Sequence, residues 1–251
     1  MTSIALITGA NRGLGRAYAL GLAAAGVDLI VTYRGAATKI APVLAEIGQL
    51  GATAVALPLD TADVASFDAF AAEVRDALRD TWRRDSSDYL VNNAGIGPAA
   101  PVAQTPVEML DEVYNVNFRG VFMLTQKLLP LVADNGGKIL NFSTGLARFV
   151  GGPYAAYGSL KAGLEVFTRY LAQEAGPRGI SANVIAPGPV ATEFGGGVLL
   201  SEEAGAHLGS VTARGRIGQP EDIAGVVVAL LTGRTDWVTA QRIEVSGGML
   251  L

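Results

Sequence analysis

Short apolar runs alternate with helix-patterned stretches from one end of the chain to the other, and that alternation restricts the fold more than any single residue. Ile4–Thr8 reads as a buried strand and Leu14–Ala25 as the helix after it. Asp28–Thr32 with Thr38–Leu50, and Ala52–Leu59 with Val64–Leu78, repeat the unit. Tyr89–Asn92 is a fourth strand, followed by one long helix over Glu108–Val132. Lys138–Phe142, a helix over Ala155–Ala175, Ser181–Ile185, a helix over Glu221–Leu231 and Arg242–Val245 complete the series. Strands that are apolar almost throughout belong to sheets covered on both faces, and intervening helices make the connections parallel. The expectation is an α/β fold: a doubly wound parallel sheet of about seven strands with helices on both faces. No linker or low-complexity stretch interrupts it, so residues 1–251 read as a single domain. Only Thr192–Arg216, rich in Gly, breaks the rhythm, and a long irregular segment of this kind suits a substrate-binding lid.

Composition removes several functional classes. Apolar residues make up 50% of the chain and charged residues 17%, enough for a sizeable core. The net charge of −4 includes no basic block, which argues against nucleic acid or an anionic membrane as partner. With no cysteine and one histidine, His207, neither a thiol nucleophile nor a metal site of Cys and His is available. His207 has no Gly-x-Ser-x-Gly elbow to serve and reads as a loop residue. The N-terminus opens directly into a strand pattern, and the longest apolar stretch, around Ile223–Leu231, is too short to span a bilayer. A soluble, cytoplasmic protein is expected.

The first strand runs into Thr8-Gly9-Ala-Asn-Arg12-Gly13-Leu-Gly15 and then a helix. Glycines there permit a tight turn and let a phosphate rest against the helix N-terminus, where free N–H groups and the dipole favour an anion. No Gly-Lys-Ser/Thr follows, as a nucleoside triphosphatase would need. A glycine-rich turn after the first strand of such a sheet favours a dinucleotide and a Rossmann-type fold.

Tyr157 and Lys161, four residues apart on one helix, share a face one turn apart. A phenol titrates near pH ~10, and bringing it to neutrality takes roughly 4 kcal/mol. A positive charge about 4 Å away supplies roughly that amount at an effective dielectric near 20. The pair is adequate as a proton donor, although Tyr-x-x-x-Lys alone is a weak signal.

Taken in order, the motifs Thr8-Gly9-x-x-x-Gly13-x-Gly15, Leu59-Asp60, Asn92-Asn93-Ala94-Gly95, Asn117, Tyr157-x-x-x-Lys161 and Pro187-Gly188-Pro189-Val190-x-Thr192 span the whole chain. The chain resembles the short-chain dehydrogenase/reductase family in its single-domain branch, and in general look the 3-oxoacyl-carrier-protein reductases, a likeness many relatives with other substrates share. The resemblance implies an oxidoreductase that interconverts a ketone or aldehyde and an alcohol by hydride transfer. Its cofactor residues would be Gly9, Asn11, Arg12, Gly13, Leu14 and Gly15 in the first loop, with Tyr33 and Arg34 after the second strand. Asp60 and Thr61 would meet the adenine, Asn93, Ala94 and Gly95 would flank the cofactor with Asn92, and Pro187, Gly188, Val190 and Thr192 would pass the nicotinamide. Tyr157 would give or take the substrate proton, Lys161 would lower its pKa and hold the nicotinamide ribose, and Asn117 would position a relay water. Read from the residues alone, Asp60 is equally a turn or helix-capping residue, and Asn92-Asn93-Ala-Gly a turn.

The end of the second strand should meet the adenosine ribose, and an acid there would bind the 2′-hydroxyl of NAD. Here it reads Tyr33-Arg34, with Arg12 in the glycine loop. Two guanidiniums suit a 2′-phosphate, which favours NADP(H) over NAD(H). One departure from the family stands thirteen residues before Tyr157, where a serine is usual and this chain has Thr144, preceded by Ser143. Thr144 is the expected carbonyl-polarising hydroxyl, with Ser143 as the alternative. Tyr154, seven residues before Lys161, matches the spacing of enoyl reductases in the same superfamily; the glycine loop and Asn92-Asn93-Ala-Gly favour carbonyl reduction instead.

The expected pocket walls are Ile96, Ser143, Leu146, Arg148, Phe149, Tyr154, Pro189, Phe194 and the lid, mainly apolar, which suits a compact ketone or aldehyde. Arg148 is a candidate contact for an anionic substrate. The resemblance also implies a homo-oligomer, a tetramer or dimer, formed through the two long helices and an apolar tail, Gly247–Leu251. The principal alternative is a non-catalytic NADP(H)-binding regulator on the same fold.

Overall fold

The computed structural model describes residues 2–251. Its seven strands form one sheet in the order β3-β2-β1-β4-β5-β6-β7, every neighbouring pair parallel. They are β1 (Ile4–Ile7), β2 (Asp28–Tyr33), β3 (Ala54–Pro58), β4 (Tyr89–Asn92), β5 (Lys138–Phe142), β6 (Ser181–Pro187) and β7 (Arg242–Val245). The expected sheet is present, and β4, β5 and β7 keep their expected limits.

Side chains of a strand alternate between faces, and here each face has its own helical cover. Ala5, Ile7, Leu29, Val31, Val91 and Leu140 pack against α1 (Gly13–Ala24), α2 (Ala41–Gln49) and α8 (Pro220–Thr232). Ile4, Leu6, Ile30, Leu90 and Ile139 pack on the other side against α3 (Phe67–Trp82), α5 (Gly120–Leu128) and α6 (Ala155–Ala175). Burial on both sides explains why these strands are apolar at consecutive positions.

The chain reverses direction across the sheet at β1, which lies between β2 and β4. At such a switch the loops leaving the two strands part, and a crevice opens at their carboxyl ends. The loops that follow β1, β4, β5 and β6 carry the glycine loop, Asn93–Gly95, Ser143-Thr144 and Gly188–Thr192, so topology alone collects the motifs at one edge.

Two expectations need correction. The single helix over Glu108–Val132 is interrupted: α4 (Val107–Tyr114) gives way to a wider π-helical turn at Asn115–Arg119 before α5. The segment 192–216 is irregular only in part: three consecutive left-handed glycines, Gly195, Gly196 and Gly197 (φ 62, 81 and 75°), kink the chain between Phe194 and Leu200, and a regular helix, α7 (Glu202–Ser210), follows. Ser201 begins α7 by accepting a hydrogen bond from the Ala204 N–H, with Glu202 and Glu203 in the first turn, where the dipole favours them.

Candidate active site

A cleft of about 620 Å³ runs along the carboxyl edge of the sheet. Gly9, Asn11, Arg12, Gly13, Leu14 and Gly15 form one end of it. A Cβ at Gly15 would collide with the Gly9 carbonyl oxygen and come within 2.6 Å of Asn93 Nδ2, so loop, helix and the strand-four turn close up only around glycine. Asn93 fixes that approach by donating to the carbonyls of Thr8 (2.9 Å) and Gly9 (3.1 Å). No side chain caps α1 and no acid stands in its first turn, which leaves its N-terminal N–H groups facing the cleft. The donor set and the cradle fit the pyrophosphate of a dinucleotide.

Arg34, Thr61, Ala94, Gly95, Pro187, Gly188, Val190 and Thr192 also line the cleft, as expected. Tyr33 and Asp60 do not. Tyr33 packs against the core beside α1 and α2. Asp60 turns back on its own loop, accepting from the Ala62 N–H at 2.9 Å, and faces Arg34 at 3.9 Å. Its short side chain satisfies the turn before reaching the cleft. Arg12 meets Glu193 at 3.2 Å, a contact between exposed groups.

Farther along, Thr144, Tyr157 and Lys161 converge. Thr144 is extended (φ −156°, ψ 156°), and its hydroxyl accepts from the Leu146 N–H at 3.3 Å. The Tyr157 phenol is its neighbour in the cleft lining. Lys161 is buried, and its ammonium donates to the Phe142 carbonyl at 2.8 Å, lying 5.9 Å from the Tyr157 ring centre. Burial lowers Lys161 to about 8. The expected lowering of the phenol by this charge is not found. Burial pushes Tyr157 well above its ordinary range, the neighbouring Thr144 hydroxyl pulls the other way, and Tyr154 adds to the rise. The ammonium is too far off and too committed to Phe142 to overcome desolvation.

Asn117 occupies the π-helical turn, fully buried. Its amide clamps Ile96, accepting from the N–H at 3.1 Å and donating to the carbonyl at 2.8 Å. The side chain thereby anchors the loop after β4. Neighbouring Val116 lines the cleft instead. A Cβ on Gly95 would lie 2.7 Å from Asn117 Oδ1 and 3.6 Å from Lys161 Nζ, which shows how closely the three meet.

The substrate end is lined by Ile96, Ser143, Leu146, Phe149, Tyr154, Pro189 and Phe194. Arg148 points elsewhere and pairs with Glu244 at 3.0 Å, outside the lining. Sequence reasoning misplaced one lining residue and missed others, Val116 and Met249 among them. His207, expected in a loop, stands in the last turn of α7 and lines the cleft. Ser201-Glu202-Glu203 is the helix-start signal that pointed to it. Met249 also reaches the cleft, because the tail straps along the end of segment 192–216: Ala213 and Arg214 donate to Gly248 and Gly247, and Leu250 to Val211. At the end of the tail, Leu250 (47%) and Leu251 (94%) stay exposed. Among the described residues no cluster of His, Asp and Glu could hold a metal ion, and no helix is long and apolar enough to cross a membrane.

This fold and site are those of an oxidoreductase, and the chain belongs to the short-chain dehydrogenase/reductase family. A family model described as enoyl-(acyl carrier protein) reductase matches residues 9–250. The 3-oxoacyl-(acyl-carrier-protein) reductase FabG of Staphylococcus aureus is 35% identical, over 100% of this chain and 99% of its own. Among solved structures, the promiscuous reductase LugOII, which catalyses keto-reduction at C1 in lugdunomycin biosynthesis, superposes with a TM-score of 0.92 at 31% identity, covering 99% of this chain and 97% of that one. The angucycline C-6 ketoreductase LanV, solved with bound NADP, superposes with a TM-score of 0.91 at 30% identity, covering 99% and 95%.

Proposed function

We propose that this protein is an NADP(H)-dependent carbonyl reductase that interconverts a ketone or aldehyde and the corresponding alcohol. The observation that carries the reading is that Thr144 and Tyr157 line the substrate end of the cleft together, with Lys161 buried behind them. Together they can hold one carbonyl oxygen. The bound cofactor supplies the hydride to the carbonyl carbon. Tyr157, kept protonated through neutral pH by burial, donates the proton to the oxygen, and Thr144 donates a hydrogen bond as negative charge gathers there. Lys161 keeps a positive charge behind the phenol at neutral pH and fixes the loop after β5 through Phe142.

The preference for NADP(H) rests on Arg12 and Arg34, both at the cleft. Their carboxylate contacts, Glu193 and Asp60, are exposed pairs of the kind worth about 0–1 kcal/mol. A doubly charged phosphate outbids such partners. The relatives named for keto-reduction, and the one solved with NADP, support the same assignment. Tyr154 also lines the pocket, but Tyr157, one helical turn from the buried Lys161 and beside Thr144, is the better placed donor, which favours carbonyl over enoyl reduction. The segment 192–216 acts as the lid.

The test is NADPH consumption against a panel of ketones, β-keto esters and aldehydes, with NADH in parallel. Turnover that vanishes in Tyr157→Phe supports the reading. Tight NADPH binding without turnover of any carbonyl would instead favour the non-catalytic binding role.

A further inference from the structure

Three glycines, Gly145 and Gly152 in the cleft wall and Gly97 behind Phe194, each have an aromatic ring pressed onto the place where a Cβ would stand. A Cβ at Gly97 would lie 2.5 Å from the Phe194 ring, one at Gly145 would lie 2.6 Å from Phe149, and one at Gly152 would lie 3.2 Å from Tyr154. Phe194 in turn tilts over Tyr157, with ring centres 5.6 Å apart at 52°. All four rings line the cleft, and they come from separate segments: the lid, the loop after β5, and the start and first turn of α6. Core burial does not account for the arrangement, because Phe194 remains 40% exposed although its ring is fitted onto backbone. The rest of this wall is mainly aliphatic, with Leu146, Val198, Leu208 and Met249, and Glu193 and His207 are its ionisable additions from the lid. Arg148, the nearby cation expected here, is held by Glu244.

We infer that the substrate is a planar aromatic ketone, with its carbonyl on or beside a benzo-fused ring, rather than a linear acyl chain. The inference rests on the carbonyl-reductase reading. Rings at tilted and offset angles gain from an aromatic guest through edge-to-face and offset contacts, beyond the burial a saturated guest receives equally. The balance is that of ketone reduction: the cofactor's hydride forms the new C–H bond, the C=O π bond opens, and the Tyr157 proton completes the hydroxyl.

The experiment compares β-tetralone with β-decalone, which share a carbon skeleton and differ in aromaticity, and adds calorimetric binding of β-naphthol and β-decalol. The expected kcat/KM ratio favours β-tetralone by about tenfold, the scale of one good aromatic contact. Phe194→Leu should bring the ratio near unity, and Phe194→Tyr should keep it. Equal kcat/KM for the two ketones, or a preference untouched by Phe194→Leu, overturns the inference. If neither ketone is reduced but β-naphthol binds more tightly than β-decalol and Phe194→Leu removes the difference, the aromatic site stands and the reductase reading fails. If neither is reduced and the two alcohols bind alike, the inference is overturned as well.

Discussion

Ser143 donates its hydroxyl hydrogen bond to Glu165 at 2.6 Å, pointing it away from the phenol and into a charged network. The same carboxylate oxygen accepts from Arg242 Nε at 2.7 Å, and Arg242 also donates to the Thr144 carbonyl at 3.2 Å. Successive residues of an extended backbone face opposite ways, so committing Ser143 to Glu165 turns Thr144 toward Tyr157.

That division separates the two hydroxyls by experiment. Thr144→Ala should lower kcat by about 10²-fold, the usual loss on removing one donor from a developing oxyanion, and Thr144→Ser should restore most of it. Ser143→Ala should cost about 1 kcal/mol of stability, since Glu165 keeps Arg242, with a much smaller effect on kcat. Steady-state kinetics beside urea unfolding checks both. Comparable kcat losses in the two alanine variants would contradict the assignment.

Arg34 should decide the cofactor. Arg34→Ala is expected to weaken NADPH binding about tenfold, as for loss of one charge-assisted hydrogen bond, and to leave NADH nearly unaffected. Arg12→Ala should act in the same direction. Fluorescence titration with both nucleotides at two salt concentrations is the measurement. NADH and NADPH weakened equally would mean that Arg34 does not meet the 2′-phosphate.

The parts of the molecule legible in the sequence are those that local patterns specify. Buried strands show as apolar runs, and Ala155–Ala175 was readable to the residue because an amphipathic pattern meets Gly176-Pro177 at its end. The illegible parts depend on distant partners. The π-helical turn surrounds Asn117, whose amide is bound to Ile96, 21 residues earlier. Arg148 leaves the pocket for Glu244, 96 residues later. Lys161 was expected beside the phenol from helical spacing, but the Phe142 carbonyl draws its ammonium elsewhere. Three glycines at 195–197 suggested irregularity and masked the helix that follows.

The buried ammonium makes stability depend on pH in a defined window. Lys161 falls from 10.5 to about 8 on folding because burial disfavours its charge. Between those values the unfolded chain holds a proton that the folded chain has lost, so stability should rise with pH, by up to about 3 kcal/mol. Below pH ~8 both states carry the proton and the dependence on this group disappears. Tyr157 acts oppositely, but only above its ordinary value of 10. Denaturant titrations at pH 7.5, 9 and 10 should show the rise in the parent protein and its absence in Lys161→Met. A parallel pH profile in both proteins would remove Lys161 as the cause.

A second copy of the chain is the expected occupant of the aromatic face formed by α4, α5 and α6. Tyr114 stacks on Phe118 with ring centres 6.0 Å apart, Phe118 lies 6.4 Å from Phe122, and Phe122 reaches across to Phe167 on α6 at 4.5 Å. Tyr114, Phe122 and Tyr170 are nonetheless exposed, Tyr170 by 63%, with Val107, Leu110 and Val166 beside them. A contiguous apolar patch of this kind is costly to leave in water and marks an interface. Helices α4 and α5 share one axis through the π-helical turn that holds Asn117, so covering this face would also steady the loop at Ile96. Light scattering should return a dimer or tetramer for the parent protein. Phe122→Glu combined with Tyr170→Glu places two like charges in the centre of the face and should lower the mass by at least half, with a loss of thermal stability. A parent protein that is monomeric at micromolar concentration, or a double variant of unchanged mass, would mean that this face is not where the copies meet.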